Sequence, residues 1–293
     1  METLVGWFAQ VDPGTRSAFL AAGFVACWAL EGLIPLYRFG PGPRGHAALN
    51  LFFWATTLVI NLGFAVAMVR LADSAYSSEF GLAHLVAMPF WLQVIVGLLL
   101  LDLIGAWFVH WVEHRVRWMW KFHLIHHTDR SVDVTTGLRH HPGESVFRAA
   151  FTLAAVGLVG APIGVVMLYQ TLSALFAQLT HANIRVPDAL DRLLSWVLVT
   201  PNMHKVHHHF AQPLTDTNYG NVFAVWDRLF GTYAYYPADS LTYGIDTHLE
   251  EREHARLDSL MAIPFQSYRP PPGSKFNPAA TREPSGGNDP ELP

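Results

Sequence analysis

Histidine at helical spacing is the chemistry this chain offers first. His110 and His114 stand four residues apart. His123, His126 and His127 follow at i, i+3 and i+4, and His204, His207 and His208 repeat that spacing. On a helix, positions three and four apart share a face, so each cluster presents its rings on one side. Twelve of the sixteen histidines fall between 110 and 209. Imidazole is the commonest metal ligand among side chains, and several convergent imidazole faces point to a metal site. With His141 and His181 the candidate ligands are His110, His114, His123, His126, His127, His141, His181, His204, His207 and His208. Ten nitrogens suit two metals with about five ligands each. His140 and His141 are adjacent and point apart, so only one of them is expected to ligate. His209, five residues after His204, falls on the far side of its helix and is excluded. His46, His84, His248 and His254 read as packed residues. The one cysteine, Cys27, lies in an apolar run, which excludes a thiolate site and a disulfide framework. An all-imidazole set suits iron, copper, zinc or nickel.

The elements that must position these rings are membrane helices. The chain is 51% hydrophobic and 14% charged, against about 25% charged in soluble domains. Its net charge of −4 argues against a nucleic-acid partner, which requires a basic face. About 20 apolar residues span a bilayer core. Residues 17–36 form a first such run with Glu31 as its only charge, 47–69 a second with none, and 87–109 a third carrying Asp102. Residues 146–180 have the apolar length for a hairpin broken near Gly160-Ala161-Pro162. Its arms are short enough to dip into the membrane rather than cross it. No cleavable signal peptide is evident. Arg115, Arg117, Lys121, Arg130, Arg139 and Arg148 follow the third run, whereas the preceding loop holds Arg70 against two acids. The positive-inside rule therefore places the histidine clusters on the cytoplasmic side. The segment from Leu190 to Thr200 reads as an interfacial helix. Trp107, Trp111, Trp118 and Trp120 read as an aromatic belt.

The order of motifs resembles the sterol desaturase and fatty acid hydroxylase superfamily. His110-x3-His114, His123-x2-His126-His127 and His204-x2-His207-His208 are similar to its three histidine boxes. Arg139-His-His141-Pro142-Gly-Glu144 and His181-Ala-Asn183 are similar to its intervening signatures. Thr200-Pro201, Asn218-Tyr219-Gly220 and Trp226-Asp227-Arg228-Leu229-Phe230-Gly231-Thr232 flank the last box as they do there. The resemblance covers about residues 100–235. It implies an oxygen-dependent enzyme with two iron ions, which zinc can replace during purification, acting on a lipid C–H by hydrogen abstraction. It also implies a separate electron donor of ferredoxin or cytochrome b5 type with its reductase, because no fused electron-transfer domain is recognised.

The expected fold is an all-α integral membrane protein. Residues 1–95 are expected to supply N-terminal spans, and 96–263 the catalytic region, with four to five spans in all under a cytoplasmic helical cap. Residues 264–293, rich in Pro, Gly and Ser, are expected to be a disordered tail. Asp102 lies inside an apolar run, where an acid is costly and functional by default; it is expected to accept a ring N–H from a ligand. Glu144, Asn183, Asp216 and Asn218 are expected to orient imidazoles, and Asp227 to pair with Arg228. Hydroxylation and desaturation of a sterol, fatty acyl or related lipid are both open. The alternatives are a carotenoid hydroxylase of the same superfamily and a non-catalytic membrane metal protein, either a transporter or a haem carrier.

Overall fold

The computed structural model describes residues 1–39 and 45–270. Among these there are helices, turns and three isolated β-bridges, but no multi-residue strand. Helix α1 covers Glu2–Gln10 and α2 covers Pro13–Leu33, opened by Asp12, whose carboxylate accepts the Thr15 N–H. Such caps satisfy one of the orphan donors of a first turn. Helix α3 runs His46–Ser77. Helix α4, Phe90–Asp102, continues through a π-helical stretch, Leu103–Phe108, into α5, Val109–Arg115.

Four segments are long and apolar enough to cross a membrane: Pro13–Leu33, His46–His84, Phe90–Arg115 and Ile163–His181. Helices α2 and α3 are largely unburied by protein. Leu58, Val59, Leu62 and Val66 of α3 lie 44–69% exposed, as side chains solvated by lipid would be. The expected hairpin is present as α7, Pro142–Val159, and α8, Ile163–His181. It breaks where expected: Gly160 closes α7 at φ +68°, and Pro162 opens α8. A left-handed residue at a helix end is cheap only for glycine. A Cβ on Gly160 would also stand 1.9 Å from the Phe80 carbonyl oxygen.

The membrane core is made where α1, α3, α4, α7 and α8 meet, through Ala72, Val94, Leu101, Val156, Val159 and Val165. Above it sits the cap. Helix α6, Arg117–His127, turns off α5 at Val116, and α9, Asp188–Leu194, leads to α10, Pro201–His207. Three short helices complete it: α11 Val225–Leu229, α12 Glu251–His254 and α13 Leu257–Ala262. Phe53 of α3 packs with Trp120, Leu124, Ile125 and Leu260, joining span and cap. Of the residues expected to form a tail, Pro264 is buried and Arg269 bonds Glu253 and the Thr247 carbonyl. Residues 271–293 lie outside the described residues.

Two tryptophans of the expected belt are interior. Trp107 is buried, donates to Asp227 Oδ1 at 3.0 Å and stacks on Phe230. Trp120 packs its ring on His114 and His127. Trp118 is 57% exposed and is the one of the four placed as a belt residue would be.

Candidate metal centre

Each ring arrives on a helix end. Helix α5 carries His110 and His114 just past the π-helical stretch, a local widening often found at functional sites. Helix α6 brings His123, His126 and His127, the last turn of α8 brings His181, and α10 with its C-cap brings His204, His207 and His208. They assemble into two groups. His110, His114, His123, His127 and His207 form one, and His126, His181, His204 and His208 the other; in each, one atom per ring lies within 4.8 Å of the rest. The groups adjoin, with His126 and His208 ring centroids 4.6 Å apart.

The distances suit metal ions. His110 and His123 approach Nε2 to Nε2 at 3.1 Å, His127 and His123 at 3.2 Å, His181 and His126 at 3.1 Å, and His204 and His181 at 3.0 Å. Two nitrogens each about 2.1 Å from one ion, at angles from square to tetrahedral, lie about 3.0–3.4 Å apart. The buried Nε2 of His207 and both nitrogens of His208 have no hydrogen-bond partner. A buried unsatisfied polar atom costs about 1–3 kcal/mol, which coordination would remove.

The outer faces of five rings are held by acceptors. His110 Nδ1 donates to the Tyr219 carbonyl at 2.9 Å and His123 Nδ1 to Glu144 at 2.8 Å. His114 Nδ1 donates to Asp216 at 3.1 Å, His181 Nδ1 to the Ala177 carbonyl at 2.7 Å, and His207 Nδ1 to the Thr217 carbonyl at 2.7 Å. An acceptor at Nδ1 fixes the proton there and leaves the Nε2 lone pair facing inward. Burial first, then the neighbouring imidazoles, hold His123, His126, His127, His204, His207 and His208 well below the ordinary histidine range. The rings are therefore neutral at pH 7, the form that ligates.

Nine of the ten expected ligands are thus brought together, and His141 is not. It is the N-cap of α7, accepts the Gly143 N–H at 3.0 Å and packs on Phe122. Adjacent residues entering a helix diverge, and it is His140 that faces inward. His140 stacks on His126 at 4.8 Å and donates to Glu144 at 2.8 Å. His209 lies beyond the end of α10 beside Thr242, away from both groups.

The polar residues divide. Glu144 and Asp216 contact ligand rings, as expected. Asp102 does not. Its carboxylate accepts the Val222 and Phe223 N–H groups at 3.3 and 3.1 Å, Trp226 Nε1 at 3.1 Å and the Tyr169 hydroxyl at 3.3 Å. It ties α4 and α8 to the segment after the last box, one step removed from the rings. Asn183 bonds both the N–H and the carbonyl of Tyr37. Asn218, at φ +52°, bridges Met203 and Ala234. Neither touches a ligand. Asp227 and Arg228 do not pair with each other: Asp227 accepts the Tyr219 and Gly220 N–H groups at 2.8 Å, and Arg228 bonds Ser195. Glu113 was not anticipated. It is fully buried between Arg148, which bonds both its oxygens, and His123 at 3.6 Å. Its place inside the first box and the downstream Arg148 were the available signal. Lys205, between two ligands, is also fully buried; burial pulls it down to about 7, and its ammonium donates to the Ala182 carbonyl.

Residues 94–232 match the family model of the fatty acid hydroxylases. This stretch contains all nine clustered histidines. The chain is 29% identical over 188 residues to ornithine lipid hydroxylase OlsE of Rhizobium tropici, covering 64% of this chain and 55% of that protein. It is 29% identical over 131 residues to alkylglycerol monooxygenase of Xenopus tropicalis, covering 44% of this chain and 28% of that protein. Methylsterol monooxygenase 2-2 of Arabidopsis thaliana is 25% identical over 168 residues, 56% of this chain and 62% of that protein. The chain thus spans about half the length of the first of these relatives and less than a third of the second. No solved structure matches the chain.

Proposed function

We propose that the protein is a membrane-bound, oxygen-dependent di-iron enzyme that hydroxylates a lipid. The observation that carries this is the pairing of a five-histidine and a four-histidine group at one end of four membrane-length helices. His110, His114, His123, His127 and His207 would hold one iron, and His126, His181, His204 and His208 the other. The irons, once bound, would supply the oxidant drawn from O2 that removes hydrogen from an unactivated C–H. The chain supplies orientation and exclusion of water. Tyr219, Thr217 and Ala177 carbonyls with Glu144 and Asp216 hold the Nδ1 protons outward. Every clustered ring is at least 94% buried, so water is kept from the reacting carbon. The three relatives are named as hydroxylases or monooxygenases, which favours oxygen insertion over desaturation. The lipid enters from the bilayer, and electrons come from a separate donor of ferredoxin or cytochrome b5 type. The basic residues after the third span favour a cytoplasmic cap.

The test is turnover. Iron-loaded protein with reductant, a donor and total membrane lipid under isotopically labelled O2 should yield a lipid heavier by one labelled oxygen. A lipid lighter by two hydrogens would replace hydroxylation with desaturation. Two bound irons with no modified lipid of either kind would refute the proposal.

A further inference from the structure

Glu31 is the only charged residue between 17 and 36. It stands near the cap-side end of the first span, α2, outside the stretch that matches the fatty acid hydroxylase model. An acid in such a run marks a function by default. One oxygen, Oε1, accepts two backbone N–H groups, Val134 at 2.6 Å and Asn183 at 2.7 Å.

Both partners flank one ligand. Asn183 lies two residues past His181. Val134 opens the loop that crosses over it, where a Cβ on Gly137 would stand 3.2 Å from His181 Nδ1 and 2.9 Å from the Ala177 carbonyl that this nitrogen bonds. His181 is the hub of the four-histidine group, meeting His126 Nε2 at 3.1 Å and His204 Nε2 at 3.0 Å. From the other side Lys205, next to His204, donates to the Ala182 carbonyl. The peptide after His181 is therefore held at its carbonyl by α10 and at its following N–H by α2. Helix α2 is itself seated on α8. A Cβ on Gly23 would meet Leu175 at 2.5 Å, and Gln178 donates to the Leu20 carbonyl. Cys27, Val134, Ala182 and Ile184 pack together beneath the clamp.

We propose that Glu31 is a positioning residue by which the first membrane span sets His181, and with it the four-histidine metal group, while leaving the five-histidine group untouched. The proposal rests on the di-iron reading above. Among the described residues Glu31 accepts from the Val134 and Asn183 N–H groups, neither of which belongs to His110, His114, His123, His127 or His207.

Two conservative variants of the full-length protein, loaded with ferrous iron and titrated with a chelator, test it. Glu31→Gln keeps an oxygen at the same reach and should hold both irons as the wild type does. Glu31→Asp draws the acceptor back by about one bond length, 1.5 Å, and breaks both contacts. It should release one iron at roughly 10- to 100-fold lower chelator concentration, the usual cost of losing an outer partner of a ligand, and the other at the wild-type concentration. An Asp variant that keeps both irons at wild-type affinity, or that loses both alike, would overturn the clamp. So would a Gln variant as impaired as Asp, because charge and not the hydrogen bonds would then be the cause. A wild type that takes up fewer than two irons would instead overturn the di-iron reading.

Discussion

Replacing Asp102 separates a structural tie from a metal-orienting role. Its carboxylate receives four donors, two on each oxygen: Val222 N–H and Tyr169 hydroxyl on Oδ1, Phe223 N–H and Trp226 indole on Oδ2. Asp102→Leu fits a membrane helix but strands the two backbone N–H groups and the indole, which cannot turn away as a hydroxyl can. At about 1–3 kcal/mol for each stranded buried donor the cost is roughly 3–9 kcal/mol. That is comparable to the whole stability of a domain, about 5–15 kcal/mol. Asp102→Asn can keep its oxygen toward Phe223 and Trp226 and turn its NH2 toward Val222 and the Tyr169 hydroxyl, which can rotate to accept, so one backbone N–H is stranded at roughly 1–3 kcal/mol. The assay is thermal unfolding in detergent beside iron bound per folded chain. Melting temperature should fall in the order wild type, Asn, Leu, while iron per folded chain stays at the wild-type value. A Leu variant that melts like the wild type yet binds no iron would refute this, and would return Asp102 to the ligand shell.

Removing His207 should abolish turnover and lower iron content, because its Nε2 faces the five-histidine group, whereas His209→Ala and His141→Ala should leave iron content near the wild-type value; equal loss in all three would mean the inward face is misassigned. Acid should destabilise the metal-free protein. The six rings of α6, α10 and the α10 C-cap have folded values below the unfolded value of about 6.5. Below that pH the unfolded chain binds more protons, so stability is full above about pH 7.5 and lost as pH falls. Each ring acts in the same direction, so the melting temperature of the metal-free protein should fall as pH drops through the unfolded value. Melting curves of chelated protein from pH 7.5 to 5.5 check it, and a flat profile would show that the rings are not held neutral.

Much of the centre was legible because helical spacing is a geometric constraint. The i, i+3, i+4 pattern at His123 and at His204 put three rings on one face whatever the tertiary fold. The break at Gly160-Ala161-Pro162 was legible because glycine and proline act on the backbone itself. Less legible was whatever depends on direction over one residue. His140 and His141 differ only in which side of a helix start they leave, and capping by His141 decided it. Asp102 reads as a partner of the rings because a buried acid signals a partner without saying which; three of its four donors come from residues 222–226, more than a hundred positions away. The carbonyls of Ala177, Thr217 and Tyr219 orient three ligands, and a backbone group has no side-chain signature. The π-helical stretch at Leu103–Phe108, just before His110, likewise leaves no mark in hydropathy.

Two irons in one chain is the claim on which the rest depends. Protein produced with iron supplementation and purified without chelator can be measured by elemental analysis against its concentration from amino-acid analysis. Two irons per chain are expected, or two metals in total where zinc has replaced iron, since zinc competes well by affinity alone. One metal or none in protein that remains folded would contradict the two-group centre.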